Sequence, residues 1–204
     1  MCFSTIIDIL GSMVIGGFLL LLLLRIDDSA VQNVYNNSEE LILQQNLVVT
    51  ADILERDFRR IGYCKNYNLL PKTNDIILAT DSSISFLTDV YDEGKVDTLH
   101  YYLGPVSELA STPNPRDRYL YRVVNNDNPV EANLGVTGFR LVYFDRYDDS
   151  LQTPISDLSL IGSMEINLAV ENVVGYGNDP SGNGNYSTAF WRQIKLAAMN
   201  LQKR

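Results

Sequence analysis

The sequence predicts an α+β protein in which a long N-terminal helix, apolar in its first half and amphipathic in its second, packs on an antiparallel β-sheet domain. Three observations predict it. Residues Ile9 to Leu24 form an apolar run without a charge. Proline is absent before Pro71, and glycine is absent between Gly17 and Gly62, so nothing in that stretch breaks a helix. Beyond Asp75 the apolar spacing changes from three-and-four to every second residue. The chain divides accordingly into a hydrophobic segment (1–28), an amphipathic continuation of the same helix (29–62) and a β-rich globular domain (63–204).

The first segment reads STIIDILGSMVIGGFLLLLLLRIDD from Ser4 to Asp28, and Asp8 and Arg25 are the only charges in residues 1–26. A helix crosses the hydrocarbon of a bilayer with about 20 residues, and this run is close to that length. A cleaved signal peptide has a basic stretch before its apolar run and a small-x-small site after it. Here no Lys or Arg precedes the run, and Arg25-Ile26-Asp27-Asp28 follows it. A retained membrane-length helix is therefore expected, with an orientation that the positive-inside rule leaves open. Gly11, Gly16 and Gly17 would let neighbouring helices approach closely, although membrane helices also carry glycine without that role.

In the second segment, Leu43, Leu47, Ala51, Leu54, Phe58 and Ile61 recur at steps of four and three, which places them on one helical face. Asp52, Glu55, Arg56, Arg59 and Arg60 fall elsewhere. Asn37 and Glu40 have capping-box spacing, so a kink or frayed turn is expected near Asn36-Asn37-Ser38. Gly62 is the expected C-terminal cap.

Alternation then marks the strands. Ile84 and Phe86 begin it; Leu99, Tyr101 and Leu103 follow. Next come Tyr119, Tyr121 and Val123, then Phe139, Leu141 and Tyr143. Ile166, Leu168 and Val170 precede a last set of Phe190, Ile194 and Leu196. Turn-forming stretches separate them, among them Asp92-Glu93-Gly94-Lys95 and Asn125-Asn126-Asp127-Asn128-Pro129. One antiparallel sheet with a wet face is expected. Its other face needs cover, and the stripe Leu47, Ala51, Leu54, Phe58 and Ile61 is the long apolar surface available for a helix–sheet core.

Chemistry-bearing patterns are few. The net charge of −9 argues against nucleic acid, whose phosphates call for a basic surface. The single histidine, His100, sits in an alternating strand without a nucleophile motif beside it. Gly162-Ser163-Met164 is not a nucleophile elbow, and neither a phosphate-binding glycine loop nor a zinc spacing occurs. An enzyme, a cofactor and a small-molecule substrate are therefore not expected. Two acidic clusters, Asp89/Asp92/Glu93/Asp97 and Asp145/Asp148/Asp149, have oxygen ligands of the kind that suit Ca²⁺, but neither follows the EF-hand pattern, and solvated turns are the plainer expectation. Asn36-Asn37-Ser38 and Asn185-Tyr186-Ser187 fit the glycosylation acceptor pattern. Cys2 and Cys64 would be held far apart by a helix between them, too far for an intrachain disulfide.

The order of these features resembles the type IV pilin superfamily. It is most similar to the PilW-type minor pilins and the J-type minor pseudopilins of type II secretion. LERDFRRIGY (Leu54 to Tyr63) closes the long helix as in that family. SISFLTDVYDEGKVDTLHYYLG resembles its first hairpin, and YLYRVVNND and GVTGFRLVYFDRYDDS follow in family order. MEINLAVEN and FWRQIKLAAMNLQKR resemble its last strands. Aligned on the family's mature start, Ser4-Thr5-Ile6-Ile7-Asp8 puts Asp8 in the place of the characteristic glutamate, with Phe3 where a glycine belongs. Whether a leader is processed stays open.

The resemblance implies a structural subunit of a pilus-like or pseudopilus-like filament. Its partners would be copies of itself or other pilin-like subunits. It would be stored single-pass in an inner membrane before assembly and would stand in a periplasmic or extracellular filament afterwards. Asp8, Gly11, Gly16, Gly17 and Arg25 are the expected assembly residues. The rival expectation is a membrane-anchored β-domain that recruits a partner and never polymerises.

Overall fold

The computed structural model describes residues 2–71, 74–129, 134–172 and 186–196. Among these residues one α-helix, α1 (Cys2–Arg59), precedes eight strands: β1 (Ile76–Ala79), β2 (Ser83–Thr88), β3 (Asp97–Leu103), β4 (Leu120–Val124), β5 (Val136–Phe144), β6 (Ser150–Leu151), β7 (Ser163–Glu171) and β8 (Thr188–Leu196). The chain forms two compact units, Met1–Leu41 and Ile42–Arg204.

The first unit is helix alone. Its side chains from Ile6 to Ile26 stand exposed, and its mean hydropathy reaches 2.5, so by length and composition it is able to cross a membrane. The helix runs through Asn36-Asn37-Ser38 without the expected restart. The Ser38 hydroxyl donates to the Val34 carbonyl at 2.9 Å instead of capping a new turn. A serine that bonds back four residues is compatible with a continuous helix interior.

The second unit holds the remainder of α1 and two four-stranded antiparallel sheets, ordered β1-β2-β3-β4 and β6-β5-β7-β8. The expected single sheet is thus two, linked by a bridge between Arg118 and Val136 and by the Leu141 N–H donating to the Asp81 carbonyl at 2.7 Å. The stripe of α1 closes their core. Leu43, Leu54, Phe58 and Ile61 join Phe86, Leu99 and Tyr101 of the first sheet and Leu141, Tyr143 and Ile166 of the second in one apolar cluster. The Phe58 ring meets Phe86 edge-on at 5.5 Å and Tyr101 at 5.6 Å. The helix stops where its carbonyls find other donors. The Arg60 and Ile61 N–H groups tighten the last turn, Gly62 takes φ +69°, and its N–H donates to Leu87 of β2 at 2.9 Å. A side chain at that φ would be strained, which is why glycine caps there.

Two strands face otherwise than alternation suggests. In β4 the register pairs Leu99 with Val124, Tyr101 with Arg122 and Leu103 with Leu120. The core side therefore carries Leu120, Arg122 and Val124, not Tyr119, Tyr121 and Val123. Tyr121 is nevertheless covered, by stacking on Tyr102 at 4.8 Å and donating to Glu108 at 2.8 Å on the opposite face. In β8, Phe190 pairs with Ala169 and is 74% exposed, while Trp191 opposite Leu168 packs on the core. A register shift between Met164 and Ile166 returns Leu196 to the inside. One extra residue reverses the parity of every side chain beyond it.

Candidate assembly site and its supporting network

The residues expected to assemble lie on the first unit. Asp8 and Arg25 are exposed, and a Cβ placed on Gly11, Gly16 or Gly17 would meet nothing within 4 Å. Each glycine thus lies on helix surface open to a neighbour. Apolar exposure does not end with the membrane-length run. It continues at Val31, Val34, Tyr35 and Leu41 in the first unit and at Ile42, Val48 and Val49 in the second. In the second unit these last residues share α1 with the buried stripe, so the helix there has one apolar face on the sheets and another in the open.

The residues expected at the helix–sheet core are all in the second unit. Ala51, Leu54, Phe58 and Ile61 are buried, and Leu47 is half-buried against the same cluster. Beside them lies a polar contact that the alternation of β4 concealed. Asp57, 5% exposed, is the neighbour of Phe58 on α1. Its Oδ2 accepts from the Tyr101 hydroxyl at 2.6 Å and from Arg122 Nε at 2.7 Å, and Arg122 Nε also reaches the Tyr101 oxygen at 3.0 Å. Burial pushes the Tyr101 phenol well above its ordinary range, and the adjacent Asp57 carboxylate adds to that. For Arg122, burial works the other way, but the bonds to Asp57 and Tyr101 outweigh it and raise its pKa. A buried ion pair is sustained only by such mutual pairing, here completed by a neutral phenol.

The acidic clusters are turn architecture. Asp89 is inaccessible to solvent, and its carboxylate accepts N–H bonds from Gly94 at 2.8 Å, Glu93 at 3.0 Å and Lys65 at 3.2 Å. Burial alone would push its pKa up. The N–H groups of Gly94, Lys65 and Glu93, with the Arg60 charge, hold it below the usual carboxylate range instead. Asp97 accepts from Val90 N–H and Asn125 Nδ2, Asp92 pairs with Arg60 at 2.7 Å, and Glu93 pairs with Lys95. Asp145 accepts from the N–H groups of Tyr147 and Asp149. Among the described residues no group of three or more His, Cys, Asp or Glu side chains is placed to hold a metal ion.

The remaining single candidates are accounted for locally. His100 Nε2 lies 2.9 Å from the Ser83 hydroxyl on the paired strand, and burial pushes its pKa down. Cys64 is a buried free thiol, and the Cys2 side chain lies outside the described residues. Asn36 sits inside α1, and Asn185 lies outside the described residues.

A second polar group, unforeseen in the sequence, joins the segment before β4 to the end of β7. The Glu171 carboxylate accepts from Asn114 Nδ2 and Arg116 Nε, each at 2.9 Å. Asp117 beside it is fully inaccessible, and neither of its carboxylate oxygens has a hydrogen-bond partner among the described residues. Burial pushes its pKa up, the nearby Thr112 hydroxyl, whose own bonds go to the Leu109 and Asn114 carbonyls, opposes that only in part, and the Glu171 charge adds to the rise.

No protein-family model matches the chain, and no curated protein and no solved structure matches it.

Proposed function

We propose that this chain is a structural subunit of a pilus-like or pseudopilus-like filament of the type IV pilin kind. α1 would supply the filament core, and the double-sheet unit its outer wall. The observation that carries this reading is the length of the open apolar face on α1. A membrane anchor needs about 20 predominantly apolar residues, which Ile6–Ile26 supply with Asp8 and Arg25 near the two ends. Val31, Val34, Tyr35, Leu41, Ile42, Val48 and Val49 are surplus to anchoring, and exposed apolar surface of that extent calls for a protein partner. Parallel helices of other subunits are the cover that fits exposed apolar helix surface of this kind.

On this reading the first unit resides in the inner membrane before assembly and moves into the filament core during it. The glycines at 11, 16 and 17 let cores approach, and Asp8 sets the register against a positive group of a neighbour. The β-unit lies in the periplasm or outside the cell. The Asp57–Arg122 pair and the Phe58 seam hold the last turns of α1 on the β-unit, so that pull on the helix is borne by the sheets.

Filaments sheared from the source cells, imaged and identified by mass spectrometry, test the reading. The expected result is this chain as a recurring component. Recovery from the membrane fraction alone, under conditions where filaments are made, would favour the anchored binding module instead.

A further inference from the structure

We propose that the turn between β5 and β6 of one copy docks in an arginine-lined groove on the β5-β7-β8 sheet of the next copy. The inference rests on the filament reading and names a contact within it.

The groove has a volume of about 770 Å³ and is lined by Arg118, Arg140 and Arg192, with Phe190 on β8. Among the described lining residues the only acid is Glu165. That carboxylate is already engaged, by Arg192 at 2.8 Å and by Asn167 at 2.9 Å. Bonding to Arg192, against the cost of burial, holds its pKa down, and Asn167 and the nearby Arg140 add to that. No hydrogen bond or ion pair engages the side chains of Arg118 or Arg140 among the described residues. A chain of net charge −9 thus concentrates unspent positive charge beside a large exposed aromatic ring. Arginine with aromatic residues is the composition of energetic hot spots at protein interfaces.

The complementary shape is on the same chain. Asp145-Arg146-Tyr147-Asp148-Asp149 connects β5 to β6 and carries three acids against one base. Tyr147 is 79% exposed at its tip, and Asp148 and Asp149 are exposed beside it. The Asp145 carboxylate accepts the N–H groups of Tyr147 at 2.8 Å and Asp149 at 2.9 Å, which holds the turn in one shape before it docks. A preformed loop loses little freedom on binding. Tyr147 would lie beside Phe190 and the arginine planes, with Asp149 facing Arg140. Turn and groove are different patches; joined head to tail, they leave a free turn and a free groove at the ends, which extends a filament.

Charge exchange in the full-length chain tests it. Arg140→Glu and Asp149→Arg are both surface changes, and unaltered melting of the purified chains confirms that they fold. Each alone is expected to lower filament yield about tenfold, because like charges then face one another across the interface. The chain carrying both is expected to recover to within about twofold of the parent, as a coupled pair does in a double-mutant cycle. Unchanged yield in the single variants, or no recovery in the double, overturns the contact.

A second readout needs no filaments. Cells co-express full-length Arg140→Cys and Asp149→Cys chains in a Cys2→Ser background, and membranes are oxidised. A crosslink between the two chains is expected, and its absence overturns the contact. A crosslink in a chain that never forms filaments would retire the filament reading and leave the contact standing. A crosslink from position 140 to a different protein would show that the groove takes another partner, and would overturn docking between copies.

Discussion

Arg122 Nε stands 2.7 Å from Asp57 Oδ2, and that one bond ties β4 to the last turns of α1 across a buried boundary. The Tyr101 hydroxyl shares the same oxygen. Removing one member of a buried pair strands the other charge, a loss of roughly 3–5 kcal/mol. Asp57→Ala is therefore expected to lower unfolding stability by about that amount, measured by denaturant titration of the full chain in detergent. Pairing it with Arg122→Met removes the stranded cation and should return part of the loss. A double variant as unstable as the sum of both singles would show that the two residues do not act as a pair.

Phe58 tests the apolar side of the same seam. Its ring is wholly buried between Phe86 and Tyr101. Phe58→Ala leaves a cavity that the surrounding strands fill only in part, with an expected cost of roughly 3–5 kcal/mol. Val48→Ala on the open face of α1 should change the melting of the isolated subunit little. Equal effects at the two positions would mean that the seam runs along a different face of the helix.

Both outcomes depend on features that were unequally legible in the sequence. The helix face from Leu43 to Ile61 and its end at Gly62 follow from spacing and from the backbone freedom of glycine, which are local properties. The strands around Ile84, Leu99, Phe139 and Ile166 follow from alternation for the same reason. Arg122 was concealed because alternation alone assigns a charge to the wet face. The partner that makes its burial tolerable, Asp57, is distant in sequence and on a helix. Phe190 was misplaced by a register shift in β8, and such shifts carry no periodic signal. The division into two sheets was hidden as well, since alternation shows that a strand has two faces but not which strand lies beside it. Asp57 beside the apolar Phe58, on a face otherwise read as core, was the one available hint.

Asp117 yields a prediction about pH. Its carboxyl is buried without a hydrogen-bond partner among the described residues, and burial with the Glu171 charge raises its pKa in the fold. The folded chain therefore keeps a proton that the unfolded chain releases. For a raised carboxyl, stability is full below the unfolded value of about 4 and declines as pH climbs through the folded value. Asp117→Asn has no proton to release. Its melting temperature relative to the parent is expected to be near zero at pH 4 and positive at pH 7. A variant that melts at or below the parent at pH 7 would mean that the carboxylate has a stabilising partner in its charged form.

On the filament reading proposed above, Asp8 bears on assembly directly. An ionised carboxylate within an apolar helix costs about 2.5–3.5 kcal/mol on insertion scales, less where headgroups or water reach it. In a filament core made of neighbouring α1 helices it needs a positive partner. Lys and Arg are absent before Arg25, so the choices are the α-amino group of a neighbour's mature N-terminus, as for the matching glutamate in pilins, or Arg25 of another copy. The second lies about 25 Å further along a helix, and only an axially shifted subunit would bring it level. Either pair would fix the register of one helix against the next. Asp8→Ala strands the cation in the core, at roughly 3–5 kcal/mol, but removes a cost of insertion. The variant is thus expected to enter membranes as well as the parent and to give few filaments, with Asp8→Glu milder because the charge is kept. Quantitative immunoblots of membrane and sheared-filament fractions separate the two steps. Parent-level filament yield with Asp8→Ala would leave Asp8 as a carboxylate near the end of a membrane helix, with no part in register.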